Sequence, residues 1–151
     1  MTVYAIAIVD SEGDCGTIYI PGGTFEDEGT WANDNTKTVV HVTTQMEDYD
    51  RFAKTNYYKD GKWLDRDERT GEYYDWKDEA WVLNSTRLWT EIRNERDKRI
   101  YVTDWTQLSD SPLSGSKKAE WAAYRTALRD VPTDNSGVTH LSGVIWPSQP
   151  S

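Results

Sequence analysis

The chain has 151 residues, a length that suits one domain or two small ones, and only 36% of them are hydrophobic. Its 26 acidic and 17 basic side chains give a net charge of −9, which argues against nucleic-acid binding because contacts to phosphates need basic patches. No apolar stretch approaches the roughly 20 residues of a membrane-spanning helix, and the single cysteine, Cys15, excludes an intrachain disulfide.

The negative charge is concentrated in the first half of the chain. Residues 1–79 carry 18 acidic and 8 basic side chains, a net charge of −10, whereas residues 80–151 carry 8 and 9, a net charge of +1. This break predicts an acidic, β-rich part at residues 1–80 and a helical module with an irregular tail at residues 81–151. The acidic half is either ordinary solvated surface or a surface that meets a basic patch on a partner.

Three β-rich runs are predicted before residue 45. Residues 3–10 (VYAIAIVD) form a short apolar run, residues 16–23 (GTIYIPGG) follow a polar turn, and residues 37–44 (KTVVHVTT) are rich in β-branched side chains. Each run is bounded by Gly, Asn or Asp, as strands usually are. The pattern predicts three strands and leaves their order in a sheet open.

Residues 56–83 predict two aromatic hairpins. The dipeptide Asp60-Gly61 is a strong two-residue turn signal in the first, and residues 77–79 are the expected turn of the second. Cross-strand aromatic pairs would stabilise such small ribbons. Packing within the hairpins, a protein-contact surface and a sugar-stacking surface are three open interpretations of these rings. The residues predicted to bind a partner are Tyr57, Tyr58, Trp63, Tyr73, Tyr74, Trp76 and Trp81.

After residue 83 the pattern becomes helical. Residues 84–86 (NST) offer three good N-cap residues, and Leu88 and Ile92, spaced i, i+4, give the following helix one apolar face. Residues 103–116 are expected to connect this helix to the next one. The apolar side chains expected to anchor this connection are Trp105, Leu108 and Leu113.

A second helix is predicted from the stretch AEWAAYRTALRDVP at residues 119–132. Trp121, Tyr124 and Leu128 share one face at a 3.6-residue period, and we expect this stripe to pack against the apolar face of the preceding helix. Pro132 is expected to end the helix because it lacks a backbone N–H. Together the segments predict an α+β fold: a β-rich part with short antiparallel hairpins, then a helical hairpin and an irregular tail.

No residue pattern is typical of an enzyme or of a metal site. His41 and His140 accompany no recognisable nucleophile motif, and the acidic turn around Cys15 disfavours a reactive thiolate. The carboxylate-rich residues 10–14 and 65–72 do not match the spacing of a calcium loop. We therefore predict no catalytic residue, no metal and no cofactor.

Residues 99–132 (RIYVTDWTQLSDSPLSGSKKAEWAAYRTALRDVP) and 144–150 (VIWPSQP) are more specific than any of these patterns. They resemble the C-terminal region of phage tail fibre assembly chaperones and the related tail-assembly-chaperone-like domain. The family shows a T-D-W-T-Q-L-like segment, a Pro-Leu-Ser cap, a K-x-x-W-x-x-Y-R-x-x-L-R helix and a closing Trp-Pro. The matching positions, which the resemblance implies are structural, include Trp105, Trp121, Tyr124, Arg125, Leu128, Trp146 and Pro147.

Residues 71–84 (GEYYDWKDEAWVLN) also resemble the aromatic hairpin that precedes the helices in this family, so the likeness extends over about residues 71–147. It implies a non-enzymatic protein that binds a phage tail fibre protein, expected to be trimeric, and assists its folding and trimerisation. This would take place in the host cytoplasm, with later retention on the fibre of the virion left open. No nucleic-acid or membrane partner is expected.

Two alternatives stay open beside the chaperone. One is a structural adaptor or cap of the tail fibre or baseplate, and the other is a carbohydrate-binding tip module built on the Tyr and Trp cluster. Because acidic charge and aromatic rings concentrate before residue 80, we expect the N-terminal part to carry the partner surface.

Overall fold

The computed structural model describes residues 2–20, 29–31 and 34–151. Contacts divide the chain into two compact units: unit 1 comprises Met1–Thr70 and Tyr74–Val82, and unit 2 comprises Gly71–Tyr73 and Leu83–Ser151. Strands and hairpins come first along the chain and the long helices follow. The predicted α+β fold class is therefore confirmed.

Unit 1 is built on a four-stranded antiparallel sheet in the order β2-β1-β4-β3. The two most apolar predicted runs, β1 and β4, lie side by side in its centre, because their small and β-branched side chains can be buried together. Residues 21–23 of the predicted second strand lie outside the described residues. The strands are β1 (Ala5–Val9), β2 (Cys15–Tyr19), β3 (Gly29–Trp31) and β4 (Asp34–Val42).

A short helix, α1 (Tyr49–Thr55), packs against the core of this sheet and was not predicted. It begins at Asp48, whose carboxylate accepts the backbone N–H of Arg51 at 2.8 Å. Tyr49 and Ala53, one turn apart, contact the sheet core. Seven residues are too few for a helical period to stand out in the sequence, and the N-cap aspartate is the signal that was available.

Both predicted hairpins are present, as β5 (Asn56–Lys59) with β6 (Lys62–Asp65), and β7 (Tyr74–Lys77) with β8 (Ala80–Leu83). Asp60 and Gly61 turn the first with positive φ angles of 50° and 79°, as a two-residue hairpin turn requires. The second turns at Asp78 and Glu79, with φ of 51° and 61°. Its turn therefore uses two residues without a glycine, and Lys77 ends the strand.

Unit 2 contains two long helices, α2 (Ser85–Tyr101) and α3 (Gly115–Asp134), joined through a 3₁₀ turn at Asp104–Gln107. The side chain of Asn84 caps α2 by accepting the N–H of Arg87 at 2.9 Å. Ser114 caps α3 by accepting the N–H of Lys117 at 3.2 Å. A second 3₁₀ turn, Leu141–Gly143, leads into an irregular tail.

The prediction that the stripe of α3 packs against the face of Leu88 and Ile92 is wrong. Leu88 and Ile92, at the start of α2, pack with Val131 and Val144. The stripe of α3 packs instead against Ile100, at the end of α2, together with side chains of the connection and the tail. In an antiparallel hairpin the first turns of one helix meet the last turns of the other, which separates the two stripes. The stripe itself, Trp121, Tyr124 and Leu128, is buried as predicted.

The prediction that Pro132 ends α3 is also wrong, because the helix continues to Asp134. So close to the C-terminus, proline removes a single helical hydrogen bond. Asn135 then closes the helix: its backbone N–H and its side-chain amide both donate to the Val131 carbonyl, at 3.1 and 2.9 Å. The same side chain accepts the Ile145 N–H at 2.7 Å, which ties the tail to the helix end.

Candidate functional site

The seven rings predicted to bind a partner lie in separate groups and not on one surface. Trp63 packs edgewise on Phe52 and Tyr58, with ring centroids 5.0 and 5.2 Å apart, and Tyr58 and Trp63 contact the sheet core. Tyr73 is buried in the core of unit 2 beside Leu88. Half-buried Tyr74 lies on β7. The three remaining rings, which form the group described next, are Tyr57, Trp76 and Trp81.

Two of these rings, Trp76 and Trp81, contact one arginine, Arg66, which directly follows β6. Its guanidinium carbon lies 4.9 Å from the ring centroid of Trp76 and 4.7 Å from that of Trp81, within the range of a cation–π contact. The two indoles meet edge to face at 5.3 Å, and Tyr57 packs 5.0 Å from Trp76. The two indoles of the second hairpin therefore pack on a single charge, and Tyr57 of the first hairpin packs on one of them.

Hydrogen bonds fix this guanidinium at the junction of three segments of unit 1. Its Nη2 donates to Asp14 Oδ1 at 2.6 Å and to the Ala53 carbonyl at 2.9 Å, and its Nε donates to the Lys54 carbonyl at 3.3 Å. The side chain is only 2% exposed, and a charge buried this deeply requires a paired carboxylate. Within the described residues, Nη1 of Arg66 and Nε1 of Trp76 are buried without a hydrogen-bond partner.

Glu79 borders the same group from the turn between β7 and β8. It accepts the hydroxyl of Tyr57 at 3.3 Å and forms an ion pair with Lys59. The hydrogen bond and the charge of Lys59 lower the pKa of Glu79 and, in return, raise the pKa of Lys59. Burial, reinforced by the charge of Glu79, raises the pKa of Tyr57. At neutral pH the glutamate is therefore ionised and the tyrosine is a proton donor.

An open cleft of about 630 Å³ lies over these side chains in unit 1. Its lining residues include Arg66 and Trp76, whose unpaired donor atoms are covered from solvent, and three carboxylates, those of Asp65, Asp67 and Glu79. The carboxylate of Asp65 also accepts the amide of Asn56 at 2.8 Å. Chemically, the cleft can donate hydrogen bonds from its buried arginine and indole and can accept N–H groups or cations at its acidic side. We refer to it as the Arg66 cleft.

A different arginine organises the family-signature residues of unit 2. Arg125, on α3, donates from Nη1 to the Ile100 carbonyl and to the Thr103 hydroxyl, both at 2.8 Å, and from Nη2 to Asp104 at 2.7 Å. These bonds hold the C-terminal end of α2 against α3. Cations near the C-terminus of a helix also interact favourably with its dipole.

The tail covers this helical pair. Trp146 packs against both hydrophobic clusters of unit 2, and the guanidinium carbon of Arg99 lies 4.4 Å from its ring centroid. Half-buried Pro147 follows it. In this position the closing Trp-Pro dipeptide belongs to the packing of unit 2.

The prediction that Leu108 anchors the connection is wrong, because this residue is 55% exposed. Trp105 is 47% exposed and touches Trp121 at a centroid distance of 6.5 Å. The most buried side chains here are Thr103 and Thr106. Their hydroxyls donate to the carbonyls of Ile100 and Thr103, at 2.7 and 2.6 Å, and a polar side chain can be buried when it is hydrogen-bonded in this way.

Sequence reasoning also missed two features that could meet a partner. Arg66 was not singled out, although a basic residue inside the acidic run DRDE next to aromatic hairpins was a usable signal. The second feature is an exposed apolar group at the end of α2. It consists of Tyr101, Val102, Trp105 and Leu108, which are 76%, 63%, 47% and 55% exposed.

Three further observations concern the cysteine thiol, metal binding and membrane-spanning helices in the part of the chain that the structure describes. Cys15 is buried, and burial is the main cause that raises the pKa of its thiol to about 11. The described ranges contain no cluster of His, Cys, Asp and Glu side chains arranged to hold a metal ion. None of the helices in these ranges is long and apolar enough to cross a membrane.

Comparison with known proteins links unit 2 to a family. Residues 89–151 match the sequence model of the family described as phage tail assembly chaperone protein. The resemblance expected from the sequence is confirmed over this range, which contains all seven family-signature residues and none of the seven aromatic residues predicted to bind a partner. The match supports a role in phage tail assembly. No curated protein and no solved structure matches the chain.

Proposed function

We propose that this chain, whose residues 89–151 match the phage tail assembly chaperones, is a tail fibre assembly chaperone. It binds the tail fibre protein in the host cytoplasm and assists its folding and trimerisation. The family match is the observation that carries the proposal. The match itself concerns phage tail assembly. That the partner is the fibre, that the fibre is trimeric and that the chain can stay in the virion are what we propose.

A division of labour between the units supports it. The family-signature residues of unit 2 are used in packing: Trp121, Tyr124 and Leu128 are buried, and Arg125 bonds the end of α2. Unit 1 lies outside the matched range and holds the Arg66 cleft with its acidic side. We assign partner recognition to unit 1 and the family scaffold to unit 2.

The proposed mechanism is mass action on an assembly intermediate and needs no catalysis. A protein that binds a folding-competent fibre chain lowers the concentration of free, aggregation-prone chains and leaves more of them to form trimers. Exposed apolar side chains at the end of α2 add a surface suited to such contacts. An acidic protein also repels its own copies, which keeps the chaperone dispersed while it works.

Co-expression tests the proposal. The tail fibre protein of the same phage is expressed alone and together with this chain, and the soluble fibre is analysed for trimers and for this chain after a salt wash. We expect soluble trimer only in the co-expression. If this chain is lost in the wash, it is a transient chaperone; if it co-purifies, it is a chaperone that stays on the fibre.

A fibre protein that becomes a soluble trimer equally well alone would contradict the chaperone and favour the structural adaptor. Deletion of residues 1–70 is the second arm of this experiment. Unchanged fibre binding by that shortened chain, with α2 and α3 verified by circular dichroism, would contradict the assignment of partner recognition to unit 1.

A further inference from the structure

Two hydrogen-bond donors in the Arg66 cleft are buried without a partner in the described residues. They are Nη1 of Arg66, on a side chain only 2% exposed, and Nε1 of Trp76, a residue 7% exposed. The guanidinium carbon lies 4.9 Å from the Trp76 ring centroid, so the two side chains that carry these donors are in contact. Buried polar groups are nearly always paired, and an orphaned pair at the base of a cleft indicates a missing acceptor.

The backbone on the acidic side of the cleft is strained. Glu79 has a φ of 61°, in the left-handed region that favours glycine. The first hairpin places Gly61 at the corresponding turn position, with a φ of 79°. Strained residues cluster at binding sites because the surrounding structure must hold them there. Here the strain places a carboxylate on the cleft, where it accepts the Tyr57 hydroxyl.

We propose that the Arg66 cleft binds an extended peptide segment of the partner protein. Binding shifts the side chains that cover Arg66 Nη1 and Trp76 Nε1, and a backbone carbonyl of the peptide accepts hydrogen bonds from these two donors. Its N–H groups, or a basic side chain, meet the carboxylates of Asp67 and Glu79. That the partner is a tail fibre protein rests on the proposed function; the peptide chemistry of the site does not.

Charge favours a neutral or basic peptide over an anion. Asp14 already neutralises Arg66 at 2.6 Å, and the cleft lining adds the carboxylates of Asp65 and Asp67 beside Glu79, which is paired with Lys59. A phosphate or free carboxylate would meet this negative potential, whereas a backbone carbonyl carries no net charge. A peptide offers carbonyl acceptors and N–H donors together, which suits a cleft with donors at its base and acceptors at its side.

Ring geometry favours a peptide over a glycan. Sugar rings stack on open aromatic faces, but the guanidinium of Arg66 lies over both Trp76 and Trp81, at 4.9 and 4.7 Å from their centroids. Arg69 lies 6.0 Å from the Trp81 centroid as well. Nε1 of Trp81 already donates to the Asp67 carbonyl at 2.8 Å. The donors of this group that have no partner in the described residues, Nε1 of Trp76 and Nη1 of Arg66, favour hydrogen bonding over stacking.

The test uses the full chain and a displayed library of random twelve-residue peptides as the probe. Selected peptides are synthesised and titrated against wild type, Asp67→Arg and Glu68→Arg. Both substitutions reverse one exposed charge on the same loop, but only Asp67 lines the cleft. We expect Asp67→Arg to weaken peptide binding at least tenfold and Glu68→Arg to leave it within twofold.

A second readout reports on the base of the cleft. The indole N–H resonance of Trp76 is assigned in wild type by its loss in Trp76→Phe. We expect a bound peptide to shift this resonance downfield and to slow its exchange with water, because the N–H gains an acceptor. A distant peptide site would leave it unchanged.

The outcomes separate this inference from the proposed function. Equal loss in both charge variants, an unmoved Trp76 indole resonance, or failure to select any peptide would overturn it. A shift of the resonance by a soluble oligosaccharide without any peptide would overturn it in favour of a glycan site. Peptides that bind the cleft, combined with a fibre that neither binds nor needs this chain, would support the peptide site and contradict the chaperone.

Discussion

Units 1 and 2 each contain a largely covered arginine that joins a carboxylate to backbone, and the two arginines use their donors differently. Arg125 in unit 2 has partners on both Nη atoms: Asp104, the Thr103 hydroxyl and the Ile100 carbonyl near the end of α2. Arg66 in unit 1 has partners on Nη2 and Nε, while Nη1 has none in the described residues. The comparison indicates that Arg125 closes a structure and that Arg66 leaves a donor for a ligand.

The units also differ in what makes them sensitive to substitution. Unit 2 depends on large side chains packed between two helices, a tail and a turn. Unit 1 depends on close approaches of backbone. At Gly13, which has a φ of 78°, an added Cβ would lie 1.9 Å from the carbonyl oxygen of Tyr58. Four predictions test this contrast, in order of decreasing effect.

Gly13→Ala is expected to destabilise unit 1 by about 4 kcal/mol, because it combines left-handed backbone strain with overpacking against a carbonyl. It would also disturb the 2.9 Å bond from the Tyr58 N–H to the Gly13 carbonyl. Amide hydrogen exchange in β1 and β4 measures the effect. Gly61→Ala is the matched control, with a φ of 79° and no heavy atom within 4 Å of the added Cβ; we expect about 1 kcal/mol there. Equal costs would contradict the close-approach explanation.

Trp121→Ala is expected to destabilise unit 2 by about 3–4 kcal/mol, since the residue is 8% exposed and packs in the α3 cluster. Urea unfolding followed by helical circular dichroism measures the loss. Leu108→Ala, at a residue that is 55% exposed, should stay within about 0.5 kcal/mol of wild type. A small effect at Trp121 would show that the helices and the tail hold together without the stripe.

The rate at which Cys15 is alkylated measures how well the fold of unit 1 protects this buried thiol. Burial raises the pKa of its thiol from 9.0 to about 11, so at pH 8 the thiolate fraction falls about 100-fold. We expect iodoacetamide to react at least that much more slowly with the folded chain than with the urea-unfolded chain.

The raised pKa of the Cys15 thiol also determines how the free energy of unfolding depends on pH. The stability that the buried neutral thiol contributes is present below pH 9, falls as the unfolded thiol ionises above it, and is lost as the pH rises through about 11. Cys15→Ser removes this dependence and is the control. If the rate of Cys15 alkylation in the folded chain rises with a midpoint near pH 9, unit 1 opens readily around β2.

Matched Arg→Lys substitutions test the comparison of the two arginines directly. Arg66→Lys and Arg125→Lys each lose hydrogen bonds to backbone carbonyls and should cost a similar free energy of unfolding, about 2 kcal/mol. Only Arg66→Lys is expected to weaken binding of the partner, by about tenfold, as measured by retention of the fibre protein on the immobilised chain. Equal losses of binding would remove the functional distinction between the two side chains.

Local chemistry explains which parts of the fold were predictable. The Asp60-Gly61 turn, the N-cap at Asn84 and the buried stripe of α3 all depend on residues within about ten positions of one another. The turn of the second hairpin was predicted at residues 77–79, and only Asp78 and Glu79 form it. Asp78 and Glu79 adopt positive φ without glycine because contacts to Tyr57 and Lys59 hold Glu79 there.

The candidate site was predictable only as a collection of rings. The sequence placed seven aromatic residues within 25 positions, but it did not indicate that Tyr58, Trp63 and Tyr73 would be used in cores. It also did not indicate an organising arginine. Arg66 bonds Asp14, which lies 52 positions away along the chain, and no periodicity links two such residues.

By itself, the sequence determined the α+β class, the hairpins, the two long helices and the likeness of the C-terminal region to phage tail assembly chaperones. Tertiary structure alone decided the pairing of β1 with β4, the register of α2 on α3 and the burial of Arg66 against two indoles. The physical reason is range. Turns, caps and amphipathic stripes are encoded by neighbouring residues, whereas a buried charge and the cleft above it exist only once distant segments exclude water together.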